Sequence, residues 1–250
     1  MSVAISGRPV ASFALYDQPN DEYRLPLTTL LVVTPIALAG ELLRLLCTPI
    51  GSAPVFTPVW VGLGERTGVT APLVPTLVLI AGALFMQVLA GHLWEWPRKS
   101  IILRVILWGL LWAGVRLVLA FTAMTLSDIS PRIGELSWPP PAILGLAISG
   151  AVQEEMVFRA AVLGGGALVL RGLGAPRWTA WALALPVSAA LFSIAHTSVF
   201  AVGGEAFAWI PFINRLLAGL LYGTIFLRQG LAITTLAHIG FNGALLVMLG

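Results

Sequence analysis

The amino-acid sequence predicts an all-α, polytopic membrane protein with about seven transmembrane helices, and three observations lead to this fold class. Hydrophobic residues make up 58% of the 250 residues and charged residues only 10%, whereas an ordinary soluble domain is about 25% charged. The apolar residues are collected in stretches close to the ~20 residues that a helix needs to cross a bilayer. The connectors between them hold prolines, glycines, tryptophans and basic residues, which are typical of membrane interfaces.

Seven apolar stretches are the predicted transmembrane helices, because a backbone that faces lipid must satisfy its own hydrogen bonds. They cover residues 27–49, 72–93, 101–126, 142–163, 182–203, 209–227 and 231–249. Residues 1–26 are polar and lack the apolar core of a signal peptide, so they are predicted to be a short N-terminal tail in the cytoplasm. Residues 27–250 are predicted to form one transmembrane domain.

The distribution of basic residues predicts the orientation in the membrane. Seven basic residues lie in the tail and in the second, fourth and sixth connectors, against two on the opposite side: Arg8, Arg24, Arg98, Lys99, Arg171, Arg177 and Arg228, against Arg66 and Arg132. The positive-inside rule then predicts a cytoplasmic N-terminus and an external C-terminus. Usage rich in glycine, alanine and arginine is typical of bacteria, so we expect the bacterial cytoplasmic membrane. The net charge of +3 reflects topology, and we expect a lipid bilayer as partner and no nucleic acid.

Charged residues inside the predicted helices need a reason, because each costs about 2.5–3.5 kcal/mol even on lenient insertion scales. Seven lie inside these helices and away from their ends: Glu41, Arg44, Arg116, Glu154, Glu155, Arg159 and Arg215. Glu41 and Arg44 are three residues apart and are predicted to pair locally. Arg116 and Arg215 have no acidic neighbour in sequence, and we expect a structural role in which they meet acids across the bundle or water.

Two adjacent glutamates distinguish the fourth predicted helix. Glu154 and Glu155 lie about 100° apart around a helix, so their carboxylates are expected to point in different directions. Glu155 precedes Arg159 by four residues, which is the favourable order for an ion pair. Glu154 has no such local partner, which suits a carboxyl group that exchanges protons during catalysis. A salt-bridge network that braces the bundle is the alternative explanation.

Two of the three histidines are predicted to lie deep in helices. His196 follows Phe192 by four residues and His238 precedes Asn242 by four, so each pair shares a helix face. An aligned histidine and asparagine form a compact pair of hydrogen-bond donors, which a developing oxyanion needs in a dry site. The third histidine, His92, lies beside tryptophans and is predicted to be interfacial.

The depth of these groups supports a common site. At 1.5 Å per residue, Glu154 and Asn242 are predicted to lie roughly 15 and 16 Å from the cytoplasmic ends of their helices. His196 reaches the same depth only if its helix begins near Ala182, so residues 171–181 are predicted to be an interfacial segment.

Three motifs follow one another on successive predicted helices: Glu-Glu-x-x-x-Arg, Phe-x-x-x-His and His-x-x-x-Asn. In this order they resemble the CPBP (Abi) family, which contains the type II CAAX prenyl endopeptidases and many bacterial relatives. The resemblance covers residues 142–249, the predicted catalytic core. It implies an intramembrane endopeptidase that cleaves a membrane-associated or C-terminal peptide or protein substrate.

The resemblance also assigns roles to the residues of the three motifs. It implies that Glu154 is the general base that activates water, that His196 assists it, and that His238 and Asn242 form the oxyanion site. Glu155 and Arg159 would organise the site, with Phe192 in support. Members have been classed as metalloendopeptidases, but the resemblance favours a glutamate mechanism without a cofactor. If zinc is used, Glu154, His196 and His238 are the expected ligands.

Three alternatives remain at the level of sequence. Ser149 and His238 faintly resemble a rhomboid serine–histidine dyad, although small residues there also favour close helix packing. Intramembrane acids, arginines and histidines also serve proton-coupled transporters. A non-proteolytic scaffold or bacteriocin-immunity-type protein is the third alternative. Cleavage of a peptide that depends on Glu154 would distinguish the enzyme from the transporter and the scaffold.

Overall fold

The computed structural model describes residues 26–47, 77–82, 99–127, 139–199 and 206–249. These ranges are mainly helical and contain no β-sheet, which confirms the predicted all-α fold. In chain order the helices are α1 (Pro26–Cys47), α2 (Lys99–Ser127), α3 (Pro140–Glu154), π1 (Glu155–Gly165), α4 (Gly166–Gly172), α5 (Arg177–Ile194), α6 (Trp209–Gln229) and α7 (Leu231–Leu249). Residues 77–82 are a further helical piece. The predicted tail and the predicted helix 72–93 otherwise lie outside the described residues.

Within the described residues, four helical stretches are long and apolar enough to cross a membrane: Leu27–Cys47, Lys99–Thr125, Arg177–Ile194 and Trp209–Gln229. A shorter apolar stretch, Leu231–Leu245, belongs to α7. Many large apolar side chains on these helices are exposed, among them Leu46, Leu103 and Leu217. Exposure of this kind is expected where lipid tails, rather than water, surround the helices. The protein is therefore a helical membrane bundle.

The helix that carries the two glutamates is longer than predicted. α3, π1 and α4 follow one another without a break from Pro140 to Gly172, so the glycines at 164–166 do not end the helix. The turn comes later, at Gly174, whose φ of +91° favours glycine. α5 then begins at Arg177, directly after Pro176, so the predicted helix start near Ala182 is wrong, and the interfacial location of residues 171–181 stays a prediction. Proline and the left-handed glycine end these helices, whereas glycines inside a membrane helix are tolerated.

Small residues let the helices approach closely. A Cβ atom on Gly145 of α3 would lie 2.6 Å from the backbone nitrogen of Arg44 in α1. A Cβ atom on Gly219 of α6 would lie 2.8 Å from Cα of Ala189 in α5. Such backbone contact is typical of membrane helices, which gain little hydrophobic energy by associating in lipid. It brings α3, π1, α5, α6 and α7 around one buried polar region.

Candidate active site

The carboxylate of Glu154, the last residue of α3, faces two histidines. Its Oε1 lies 3.5 Å from Nε2 of His196, and its Oε2 lies 3.7 Å from Nε2 of His238. The side chains of Glu154 and His196 are 14% and 23% exposed, whereas His238 is 6% exposed. The structure therefore brings the three groups together at a point that is buried but remains partly accessible.

His196 reaches this site from outside a helix. α5 ends at Ile194, and His196 lies two residues later in a turn, so the prediction of a histidine inside a helix that starts near Ala182 is wrong. Glu154 lies 18 residues before the end of α4, and His196 lies 19 residues after the start of α5. In two antiparallel helices joined by a short turn, residues at equal distances from the turn lie opposite each other. The side chains of Glu154 and His196 therefore still lie close together.

A hydrogen bond defines the tautomer of His196. Its Nδ1 lies 2.8 Å from the backbone oxygen of Phe192. A carbonyl oxygen only accepts, so Nδ1 carries the proton and donates it. In the neutral ring, Nε2 therefore presents a lone pair to Glu154.

Glu155, Arg159 and His238 form a second layer beneath Glu154. The predicted ion pair between Glu155 and Arg159 is confirmed, with Oε2 and Nε 3.2 Å apart and both side chains fully buried. Glu155 Oε1 also lies 2.8 Å from Nδ1 of His238. Glu154 and Glu155 thus face different nitrogens of the same imidazole. Two long side chains about 100° apart can still reach the two nitrogens of a ring that lies between them.

The backbone changes geometry between the two glutamates. α3 ends at Glu154, and the next 11 residues form the π-helix π1. π-helical turns are rare and frequently occur at functional sites. Ser188 of α5 donates a 2.6 Å hydrogen bond to the backbone oxygen of Phe158 within π1. The sequence analysis did not detect this feature, because no residue pattern distinguishes π from α geometry.

Two aromatic rings enclose the histidines. Phe192 contacts His196 and His238 at ring-centroid distances of 5.0 and 6.0 Å. Tyr222 of α6 stacks on His238 at 4.7 Å, with 23° between the ring planes. The sequence analysis missed Tyr222, although it is the only tyrosine outside residues 1–26. A single tyrosine within an apolar helix was the feature of the sequence that could have drawn attention to it.

Asn242 lies one turn after His238 on α7. Its Nδ2 donates a 3.3 Å hydrogen bond to the backbone oxygen of Ala147 in α3. An amide group has two protons to donate, so this bond uses one of them. The structure thus places Asn242 on the helix of His238, with its carboxamide directed toward the backbone of α3.

A separate polar cluster joins α1 to α3. Glu41 accepts hydrogen bonds from Arg44 Nε at 3.0 Å and from Ser149 Oγ, and the predicted Glu41–Arg44 pair is therefore confirmed. Gln153 donates to Ser149 Oγ at 3.1 Å. Both nitrogens of His238 face carboxylates instead. Ser149 and His238 thus have other partners, which counts against a rhomboid-like dyad.

The remaining buried arginine on α2 has an aromatic partner. The guanidinium carbon of Arg116 lies 4.5 Å from the ring centroid of Phe241. A cation over an aromatic face is favourable. The ring of Phe241 therefore stabilises part of the charge for which an acid across the bundle or water was expected. His92, the predicted interfacial histidine, lies outside the described residues.

The described residues include no group of three His, Cys, Asp or Glu side chains arranged to hold a metal ion. Glu154, His196 and His238 are the nearest approach to one. His238 Nδ1 is already bonded to Glu155, and each Nε2 faces a different oxygen of Glu154. We therefore derive no catalytic step through a metal.

The fold and the site together define a polytopic membrane protein with a carboxylate and two imidazoles inside its helical bundle. The family model described as Type II CAAX prenyl endopeptidase Rce1-like matches residues 136–244, which include every residue of this site. That segment is thus similar to the CAAX-type intramembrane proteases, the family that the three motifs also resemble. Searches of curated proteins and of solved structures found no match.

Proposed function

We propose that this protein is an intramembrane endopeptidase that hydrolyses a peptide bond with water activated by Glu154. The observation that carries the proposal is the Glu154 carboxylate, which faces one imidazole with each oxygen at 3.5 and 3.7 Å. These separations are longer than hydrogen bonds. Catalytic contacts are often long without substrate and shorten in the complex, so the geometry suits a base that awaits a water molecule.

The proposed reaction moves one proton through Glu154. The carboxylate accepts a proton from water as the water oxygen adds to the substrate carbonyl carbon. The carbon–nitrogen bond then breaks, and Glu154 returns the proton to the departing amine. The hydrogen bond from Nδ1 to Phe192 keeps the proton of the neutral His196 ring on Nδ1. Nε2 therefore has a free lone pair, and His196 assists by accepting a hydrogen bond there from the water or from the protonated carboxyl.

His238 and Asn242 are the proposed oxyanion donors. Because His238 Nδ1 bonds to Glu155, Nε2 carries a proton only when the ring is an imidazolium. Glu155 would then balance that positive charge, together with its pairing to Arg159. Asn242 would supply the amide proton that is not bonded to Ala147. Glu155 and Arg159 hence organise the site without touching the substrate.

The proposed substrate is a membrane-associated or C-terminal peptide, which would reach the site from the bilayer or its surface. We also propose that the N-terminus lies in the cytoplasm and the C-terminus outside, as the distribution of basic residues favours. No step of the mechanism uses a metal. Metal dependence can be tested directly, because a zinc enzyme loses activity when a strong chelator is added and recovers it with added zinc. The proposed glutamate mechanism predicts no such loss.

The experiment is an assay of purified protein in lipid nanodiscs with two quenched-fluorescence peptides. One ends in a prenylated CAAX-type sequence, and the other has the same sequence without the lipid. We expect the wild type to cleave at least one of them, and Glu154→Gln to abolish turnover with an unchanged unfolding midpoint. Ser149→Ala is the control, and it should retain its kcat because Ser149 bonds to Glu41 rather than to the site.

Three outcomes would contradict the proposal. Cleavage by Glu154→Gln at the wild-type rate would remove Glu154 as the base. Absence of cleavage of both peptides by a folded wild type would favour the transporter or scaffold alternatives. Loss of activity in Ser149→Ala, with activity kept in Glu154→Gln, would instead favour serine chemistry.

A further inference from the structure

The imidazole of His238 is covered by a ring from a neighbouring helix. Tyr222 of α6 stacks on it at 4.7 Å with planes 23° apart. Tyr222 is 1% exposed and His238 is 5% exposed. In such close packing, the tyrosine ring occupies the volume that the imidazole would enter if it rotated about its Cβ–Cγ bond.

The orientation of the His238 ring matters because both of its nitrogens have carboxylate partners. Nδ1 lies 2.8 Å from Glu155 Oε1, and Nε2 faces Glu154 Oε2 at 3.7 Å. Rotation about Cβ–Cγ would move both nitrogens away from these oxygens. The contact with Glu155 restrains one nitrogen, while the longer contact with Glu154 restrains the other only weakly. An additional restraint on the plane therefore has a direct effect on the geometry of the site.

The same tyrosine ring contacts the cation that balances Glu155. The guanidinium carbon of Arg159 lies 5.4 Å from the Tyr222 centroid and 4.4 Å from the Phe192 centroid. Apart from the ion pair of its Nε with Glu155, the guanidinium group of Arg159 has no hydrogen-bond partner among the residues that the structure describes. Its position thus depends on the charge of Glu155 and on the two aromatic faces. Tyr222 touches both groups that bind Glu155.

The hydroxyl group of Tyr222 contributes nothing to these contacts. Its oxygen is buried and has no hydrogen-bond partner within the described part of the chain, whereas a buried tyrosine hydroxyl usually finds one. The ring and the hydroxyl therefore make separable contributions, which a single substitution can distinguish.

We propose that Tyr222 is a positioning residue whose ring holds the imidazole plane of His238, so that Nδ1 meets Glu155 and Nε2 faces Glu154. The inference rests on the proposed function, in which His238 acts on the reacting carbonyl. Tyr222 itself touches neither substrate nor water in this role.

The test compares Tyr222→Phe and Tyr222→Leu with Phe226→Leu in the nanodisc assay with the prenylated and unlipidated peptides. Phe226 lies one turn further along α6, is equally buried, and packs in a different cluster with Leu163 and Ala167. We expect Tyr222→Phe to keep the wild-type kcat. Tyr222→Leu should lower kcat by about 10–100-fold with little change in KM, since a displacement of about 1 Å costs on that order. Phe226→Leu should lose stability but keep its kcat.

A second measurement does not depend on any substrate. Diethylpyrocarbonate modifies accessible imidazoles, and mass spectrometry gives the labelling rate of His238. We expect several-fold faster labelling in Tyr222→Leu than in wild type, Tyr222→Phe or Phe226→Leu. Equal labelling in all four proteins, or equal loss of kcat in Tyr222→Phe and Tyr222→Leu, would overturn the proposal. Because labelling requires no catalytic activity, its result stands even if Glu154 is not the base.

Discussion

The two adjacent glutamates differ in their surroundings, and this difference separates their roles. Glu155 is fully buried and contacts Arg159 and His238. Glu154 keeps partial access and faces the imidazoles of His196 and His238. A carboxylate with a permanent cation is a structural charge, whereas one that faces titratable rings can gain and lose a proton.

Replacing Glu155 should therefore damage the fold as well as activity. Glu155→Gln leaves Arg159 in the interior without a charge partner, and breaking such a buried pair costs about 3–5 kcal/mol. We expect a clear fall in the unfolding midpoint of the purified protein, measured by thermal denaturation in detergent. Glu154→Gln is the matched control because it makes the same chemical change one residue earlier. Equal midpoints for the two variants would contradict the assignment.

Replacing Asn242 should affect the reaction more than the fold. Asn242→Ala removes a proposed oxyanion donor, and loss of one such donor typically slows turnover by about 100–1000-fold. The single bond to the Ala147 oxygen is neutral, so its loss should cost only about 1 kcal/mol. The ratio of kcat values with matched unfolding midpoints is the measurement. A kcat within about threefold of the wild-type value would show that Asn242 is not an oxyanion donor.

At the scale of the elements, the contact between α1 and α3 depends on Gly145. Its missing side chain lets the backbone of α1 approach, and a Cβ atom there would lie 2.6 Å from Arg44 N and 2.9 Å from Gly40 O. The same contact carries the buried bonds between Glu41 and Ser149. The position of α3, and so of Glu154, rests partly on this close approach.

Gly145→Ala should therefore separate α1 from α3. A backbone cannot yield as a flexible side chain does, so we expect a destabilisation of about 1–3 kcal/mol, typical of overpacking. Gly150→Ala on the same helix is the control, because a Cβ atom there would meet nothing within 4 Å. Because alanine has a higher helix propensity than glycine, the stability of Gly150→Ala should be unchanged or slightly higher than that of the wild type. Equal losses in the two variants would argue against a specific contact at Gly145.

At the scale of the whole molecule, four apolar helical stretches and an enclosed polar site define a membrane-embedded protein. The orientation remains a prediction from the seven-to-two distribution of basic residues. A C-terminus outside requires an odd number of spans when the N-terminus is inside. The helix predicted at 72–93 therefore matters to this prediction as much as the charges do.

Reporter fusions at Gly250 test the orientation. A periplasmic reporter such as alkaline phosphatase should be active there, and a cytoplasmic reporter such as a fluorescent protein that folds only inside should be dark, because the positive-inside rule puts the basic connectors in the cytoplasm. Fusions at the N-terminus should give the opposite pattern. Activity of only the cytoplasmic reporter at Gly250 would reverse the prediction.

The sequence by itself determined the all-α membrane class and the pairs within one helix, Glu41 with Arg44 and Glu155 with Arg159. Composition and fixed helical spacing are local properties, so they can be read from the chain. The three motifs also led to the family whose model matches residues 136–244, since the order of the motifs does not depend on where each helix ends.

Only the tertiary structure decided how the helices meet. It moved the start of α5 to Arg177, placed His196 beyond the end of that helix, and put Glu154 and Glu155 on one imidazole. It also revealed π1 and the stacking of Tyr222 on His238. These features depend on contacts between residues far apart in sequence, such as the 83 positions between Glu155 and His238. Local spacing predicts which side chains lie on the same face of one helix. The packing of small residues between helices decides which side chains of other helices that face contacts.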